Sequence, residues 1–271
     1  MDSKTLKAYR IDLEQYCACF VDANISDITI PDIENYVTEM HDIYKPKTVK
    51  RKIASIKALY HYLEFQDLIS VNPFNKIRIH FRTPQTLPKT IPLHTIQTLL
   101  STMYREHRGA ATPFRHKKTL RDIATVEVLF STGIRISELC SLKKSDVDLY
   151  DGSILIFGKG AKERLIQIGS RDVLQLLIQY KQTFHREMEQ TGRFFVNPDA
   201  SPLSDQSVRR MLKKYCALSG IDLHITPHMF RHTFATSLLE ADVDIRYIQE
   251  MLGHSSVSYT HLRAHETCAD L

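Results

Sequence analysis

The chain has 271 residues, enough for two ordinary domains at ~150 residues each. Its 43% hydrophobic and 25% charged residues sit near the globular average, and no apolar run approaches the ~20 residues of a membrane span. A net charge of +5 permits nucleic-acid binding without demonstrating it, and an N-terminus reading MDSKTLKAYRIDLEQY lacks a secretory signal, so the expected location is cytoplasmic with no membrane partner.

Three helical patterns open the chain: TLKAYRIDLEQYCACF, IPDIENYVTEMHDIY and PKTVKRKIASIKALYHYLEF, spaced by short polar stretches. At ~100° per residue, the third places Val49, Ile53, Ile56, Leu59, Tyr60 and Leu63 on one side. Lys47, Lys50, Arg51 and Lys57 fall on the other, a basic face that suits either solvent or a phosphate backbone. Between about Ile79 and Pro92, three prolines and few large apolar residues predict an extended connector, which places the boundary between residues 1–84 and a second unit.

The second unit is also helix-rich, with helices predicted in HTIQTLLSTMYREH, KKTLRDIATVEVLFSTG, DVLQLLIQYKQTFHREME and SDQSVRRMLKKYCALSG. SILIF and RLIQI flank Gly158-Lys159-Gly160 and predict a β-hairpin over Ser153–Ile168. The expected fold is therefore mainly α with a small β-hairpin or sheet, in two domains. Neither an internal repeat nor a low-complexity segment is present. Five cysteines without C-x-x-C spacing predict reduced thiols, mostly buried.

Four segments carry chemistry-bearing residues. In STGIRISEL, Gly133 breaks one helix so that Arg135 begins the next, with Glu138 three residues on to brace it; by itself this reads more readily as a surface ion pair. In FGKGAKER, the hairpin turn presents Lys159, although a cationic turn is commonplace. In ITPHMFRHTFATSLL, Thr226 suits an N-cap and Pro227 the first helical position, so that His228, Arg231, His232 and Ala235 share a face. His228 and His232 also have the i,i+4 spacing of zinc ligands, but neither the H-E-x-x-H glutamate nor a third ligand accompanies them. In IQEMLGHSS, Gly253 ends a helix and His254 follows it.

Taken in order, TGIRISEL, the lysine of GKGAKER, H-x-x-R within HMFRHTFAT, and LGHSS resemble the tyrosine recombinase (phage integrase) family. The resemblance takes in the LPKTIP linker start and a helical N-terminal unit similar to the family's core-binding domain, so it spans nearly the whole chain. It implies a catalytic domain over 85–256 in which Arg135, Lys159, His228, Arg231 and His254 act on DNA. It also implies a 3′-phosphotyrosyl intermediate that needs no metal or other cofactor, double-stranded DNA as partner, and a homo-tetramer joining two DNA sites. The chemistry suits these residue types: two guanidiniums can clamp the non-bridging oxygens of a phosphodiester, lysine can protonate the 5′-oxygen, and histidine can accept the nucleophile's proton.

The nucleophile departs from the pattern. Nine residues after His254, where the family carries tyrosine, stands Arg263, and Tyr259 lies five residues along. Val257–Thr267 reads VSYTHLRAHET, which looks like the conceptual translation of a transposase-type sequencing adapter. Residues 257–271 are therefore expected to be a non-native tail, the catalytic domain to be truncated, and the chain to be inactive for want of the nucleophile helix. The alternative is a non-catalytic DNA-binding protein that keeps the recombinase fold. A type IB topoisomerase would share the chemistry, but the separate helical unit and LGHSS favour recombination.

Overall fold

The apolar periodicities of the first third become three helices, α1 (Ser3–Cys19), α2 (Ile30–Ile43) and α3 (Pro46–Phe65), in a computed structural model that describes residues 3–77, 89–158 and 163–253. The chain divides into two units, Met1–Thr86 and Leu87–Leu271. In the first, α2 starts where the Thr29 amide and hydroxyl both donate to Asp32, at 2.8 and 2.6 Å. Val49, Ile53, Ile56 and Tyr60 of α3 pack against Tyr16, Ile33, Tyr36 and Met40, as the stripe predicts, while Leu59 and Leu63 are only half-buried. The Tyr16 and Tyr60 hydroxyls meet at 2.8 Å inside this core.

The expectation of mostly buried cysteines fails here. Cys17 and Cys19 are exposed and Cys140 is half-buried, leaving Cys216 the one buried cysteine among the described residues. The reason is helical phase: Asp12, Tyr16 and Phe20 form the inward row of α1 and its continuation, and Cys17 and Cys19 fall outside it.

The second unit comprises α4 (Leu93–Arg108), α5 (Pro113–Thr132), α6 (Ile136–Ser141), β1 (Val147–Asp148), β2 (Ser153–Phe157), β3 (Glu163–Gln167), α7 (Arg171–Thr183), α8 (His185–Thr191), α9 (Asp205–Leu218), α10 (Pro227–Glu240) and α11 (Ile245–Leu252). From Thr119 to Val126 α5 is buried on every side, and it packs against α4, α7, α9 and α10, which makes it the central helix. Mainly helical architecture with a small antiparallel sheet is thus as the sequence implies. The hairpin pairs Ser153 with Gln167 through to Phe157 with Glu163, and β1 adds a short third strand beside β2.

One predicted helix is two. Residues 172–189 read as continuous, but the chain leaves helical geometry at Phe184, whose fully buried ring lies tilted, 4.7 Å from that of Tyr180. Tertiary packing of this aromatic cluster, which includes Phe194 and Phe195, overrides local propensity. Among the described residues no helix is long and apolar enough to cross a membrane.

Candidate active site

The site is built at three chain breaks. The first is the end of α5, where Gly133 adopts a left-handed conformation (φ 60°). A Cβ there would lie 2.5 Å from the Phe234 ring, so both backbone and packing require glycine. Arg135 follows at the N-cap of α6, and its amide and guanidinium each donate 2.8 Å to the Glu138 carboxylate. The predicted brace is therefore present, but as part of a larger arrangement.

The second break opens α10. Thr226 occupies the N-cap and Pro227 the first turn, although the Thr226 side chain makes no capping bond. The polar face separates by depth: His228 is exposed, His232 half-buried, and Arg231 and Ala235 are buried. Arg231, 1% exposed, donates 2.9 Å to the Gly133 carbonyl and also bonds the Leu252 carbonyl. The His228 and His232 rings meet edge-on at 4.6 Å. Burial, then His228 and Arg231, hold His232 below the ordinary histidine range. Among the described residues no three His, Cys, Asp or Glu side chains are grouped to hold a metal ion.

The third break is the end of α11, where Gly253 is again left-handed (φ 63°). The last carbonyls of a helix lack intrahelical partners and carry the negative end of its dipole. Here three successive carbonyls meet three guanidiniums: Met251 accepts from Arg164 Nε at 2.8 Å, Leu252 from Arg231, and Gly253 from Arg135 at 3.2 Å. Arg135 and Arg231, 96 residues apart in sequence, are thus brought to one point immediately before His254.

Arg164 was not foreseen. Its guanidinium forks onto Glu138, with Nη1 to Oε1 at 3.0 Å and Nη2 to Oε2 at 2.7 Å. Burial would raise the Glu138 carboxyl, but the bonds from Arg164 and Arg135 outweigh it and hold the group below the usual carboxylate range. The signal was available in strand alternation: Arg164 shares the inner face of β3 with buried Ile166, while Leu165 points outward. A basic residue on an inward face requires a partner.

Another buried arginine in this unit has a carboxylate partner of its own. Arg121 is paired directly with Asp122, whose carboxyl also accepts 3.2 Å from the Tyr215 hydroxyl. Arg231 donates to two backbone carbonyls, those of Gly133 and Leu252.

Lys159, His254, Tyr259 and Arg263 lie outside the described residues, as do the expected tail and most of the connector. On α3, Lys47 and Lys50 are exposed, Arg51 is bound to the buried Asp12, and Lys57 is half-buried with its ammonium 5.8 Å from the Phe74 ring. Of these four, Lys47 and Lys50 have no ion pair or ring contact among the described residues.

The second unit thus combines a helical architecture, a small antiparallel sheet and two arginines that converge on the end of α11. Residues 90–268 match the phage integrase family and residues 1–66 its N-terminal SAM-like domain. A tyrosine recombinase of Agathobacter rectalis is 60% identical over 268 residues, covering 98% of this chain and 87% of that protein. The tyrosine recombinase XerC of Bacillus licheniformis is 35% identical over 244 residues, covering 88% and 77%. A crystal structure of the XerH site-specific recombinase bound to a palindromic difH substrate superposes with a TM-score of 0.78 at 21% identity, covering 97% of this chain and 79% of that one. The chain belongs to the phage integrase family and is by that membership a tyrosine recombinase, an enzyme class of site-specific recombinases. The family match runs through residue 268, past the point where the non-native tail is expected to begin.

Proposed function

We propose that this protein cuts and rejoins double-stranded DNA at specific sites through a 3′-phosphotyrosyl intermediate. The observation that carries the reading is the convergence of Arg135 and Arg231 on the end of α11, directly before His254. In this reading both guanidiniums hold the non-bridging oxygens of the scissile phosphate, where charge grows as the nucleophile attacks. A tyrosine hydroxyl forms the new bond to phosphorus, and the bond to the 5′-oxygen breaks. His228 takes the phenolic proton, Lys159 protonates the departing 5′-oxygen, and His254 donates a hydrogen bond to the phosphate. Phosphodiester energy is kept in the tyrosyl linkage, so no cofactor is invoked.

Lys47, Lys50, Arg51 and Lys57 are the proposed DNA contacts of the 1–84 domain, the 85–256 domain carries catalysis, and the full-length protein acts as a tetramer on two sites in the cytoplasm. Lys47 and Lys50 fit the contact role best, because Arg51 is already bound to Asp12.

A second reading rests on the residue at the nucleophile position, which is Arg263. As it stands the chain would then bind DNA without cutting it. Amplifying the 3′ end of the gene from source DNA tests both readings. Tyrosine nine residues after His254 is the expected result, and the restored protein should form a covalent, denaturant-resistant adduct with a nicked duplex. The same tail, uninterrupted in the genome, with no such adduct, would establish the binding-only reading. An adduct lost on Tyr259→Phe would assign the nucleophile to Tyr259.

A further inference from the structure

We propose that Arg164 is a positioning residue that keeps Arg135 available to a DNA phosphate by neutralising Glu138; the inference rests on the reading of Arg135 as a phosphate ligand. Glu138 is 7% exposed and its two oxygens accept four bonds. Two come from Arg135, through its amide and Nη1, and two from the Arg164 fork. Two guanidiniums around one carboxylate leave a net single positive charge. Without Arg164, the buried carboxylate would face Arg135 alone, and the pair would be neutral at the place where a phosphate has to be held. Arg135 would then be divided between an internal carboxylate at 2.8 Å and the incoming anion.

Geometry ties the same side chain to the turn before His254. Arg164 Nε donates 2.8 Å to the Met251 carbonyl, two residues from the Gly253 carbonyl that Arg135 bonds. A Cβ on Gly253 would come within 3.1 Å of Arg164 Nη1, so the glycine also leaves room for the guanidinium. Arg164 is 9% exposed at its side chain, which places it beneath the site and out of reach of a duplex. Its influence on phosphate therefore passes through Glu138 and Arg135.

The test is the salt dependence of binding to a 30-base-pair duplex of arbitrary sequence, with thermal melting as the control for folding. Each phosphate contact contributes about 0.9 to the slope of log K against log salt. Arg135→Gln should lower the slope by about 0.9, and Arg164→Gln should lower it by the same amount although Arg164 touches no DNA. The double variant Arg164→Gln/Glu138→Gln restores the net charge and should restore the slope, which loss of a mere structural staple would not allow. Arg164→Lys keeps the charge while losing the fork, and should hold the parental slope even if Arg164→Gln does not fold. A parental slope in folded Arg164→Gln, no recovery in a folded double variant, or an Arg135→Gln-like slope in Arg164→Lys would overturn the inference while leaving the recombinase reading intact. An unchanged slope in Arg135→Gln would instead overturn the phosphate-ligand reading, and this inference with it.

Discussion

At the scale of single residues, the site depends on backbone conformations that side chains oppose. Gly133 combines a positive φ with a Phe234 ring where a Cβ would stand. Gly133→Ala should cost about 2–4 kcal/mol from left-handed strain together with overpacking, read by urea unfolding. Adding Phe234→Ala should relieve the overlap but not the strain, so the double variant should remain less stable than Phe234→Ala alone. The histidines make a second prediction. His232 and His107 are both held below the ordinary histidine range, chiefly by burial, so folding favours their neutral forms. Their contribution is fully present above the unfolded value of ~6.5 and is lost as pH falls through the lowered folded values. Melting temperature should accordingly drop as pH falls from about 7.5 to 5.5, and His232→Asn should reduce that drop. A drop of equal size in His232→Asn would show that His232 does not contribute to it.

At the scale of elements, α1 and α3 are joined by charge as well as by apolar packing. The buried Asp12 accepts from Arg51, from Lys52 at 3.3 Å and from Ser55 at 2.9 Å, and Lys52 also bonds Gln15. Asp12→Ala would leave the Lys52 ammonium, 3% exposed, without its counter-charge. The expected loss is ~3–5 kcal/mol, since removing one partner strands the other in a poorly solvating environment. Hydrogen exchange should locate that loss in α1 and α3 and leave α5 protected. Helix phase alone puts Asp12 on the inward face with Tyr16, yet an acidic residue there reads from sequence as exposed. Lys52, which is not among the residues read as the basic face of α3, lies in the core by geometry. The pairing of residues 40 positions apart decides the matter. The same logic applies to Arg164, whose inward position in β3 becomes intelligible only once Glu138 and the end of α11 stand beside it.

At the scale of the whole molecule, the two units make separable predictions for DNA. Lys47→Gln and Lys50→Gln should each reduce the salt slope of duplex binding by about 0.9 without changing the melting temperature, because both side chains are exposed. Lys52→Gln should lower stability instead, so a pure loss of DNA affinity in that variant would contradict its buried role. Sequence by itself determined the family, the helical character of both units and the hairpin, and it singled out Arg135 and Arg231, which the structure brings together. Each of these is carried by local signals: periodicity for helices, alternation around a glycine turn for strands, and short motifs whose order along the chain is itself informative. Tertiary structure decided how charge is distributed. It committed Arg51 and Lys52 to Asp12, ended one predicted helix at a buried phenylalanine, exposed two cysteines, and gathered Arg135, Arg164 and Arg231 at three consecutive carbonyls. The physical reason is range. Hydrophobic periodicity reports which face of an element is inward, whereas the partner of a buried charge is set by elements dozens of residues away that meet it only when the core closes.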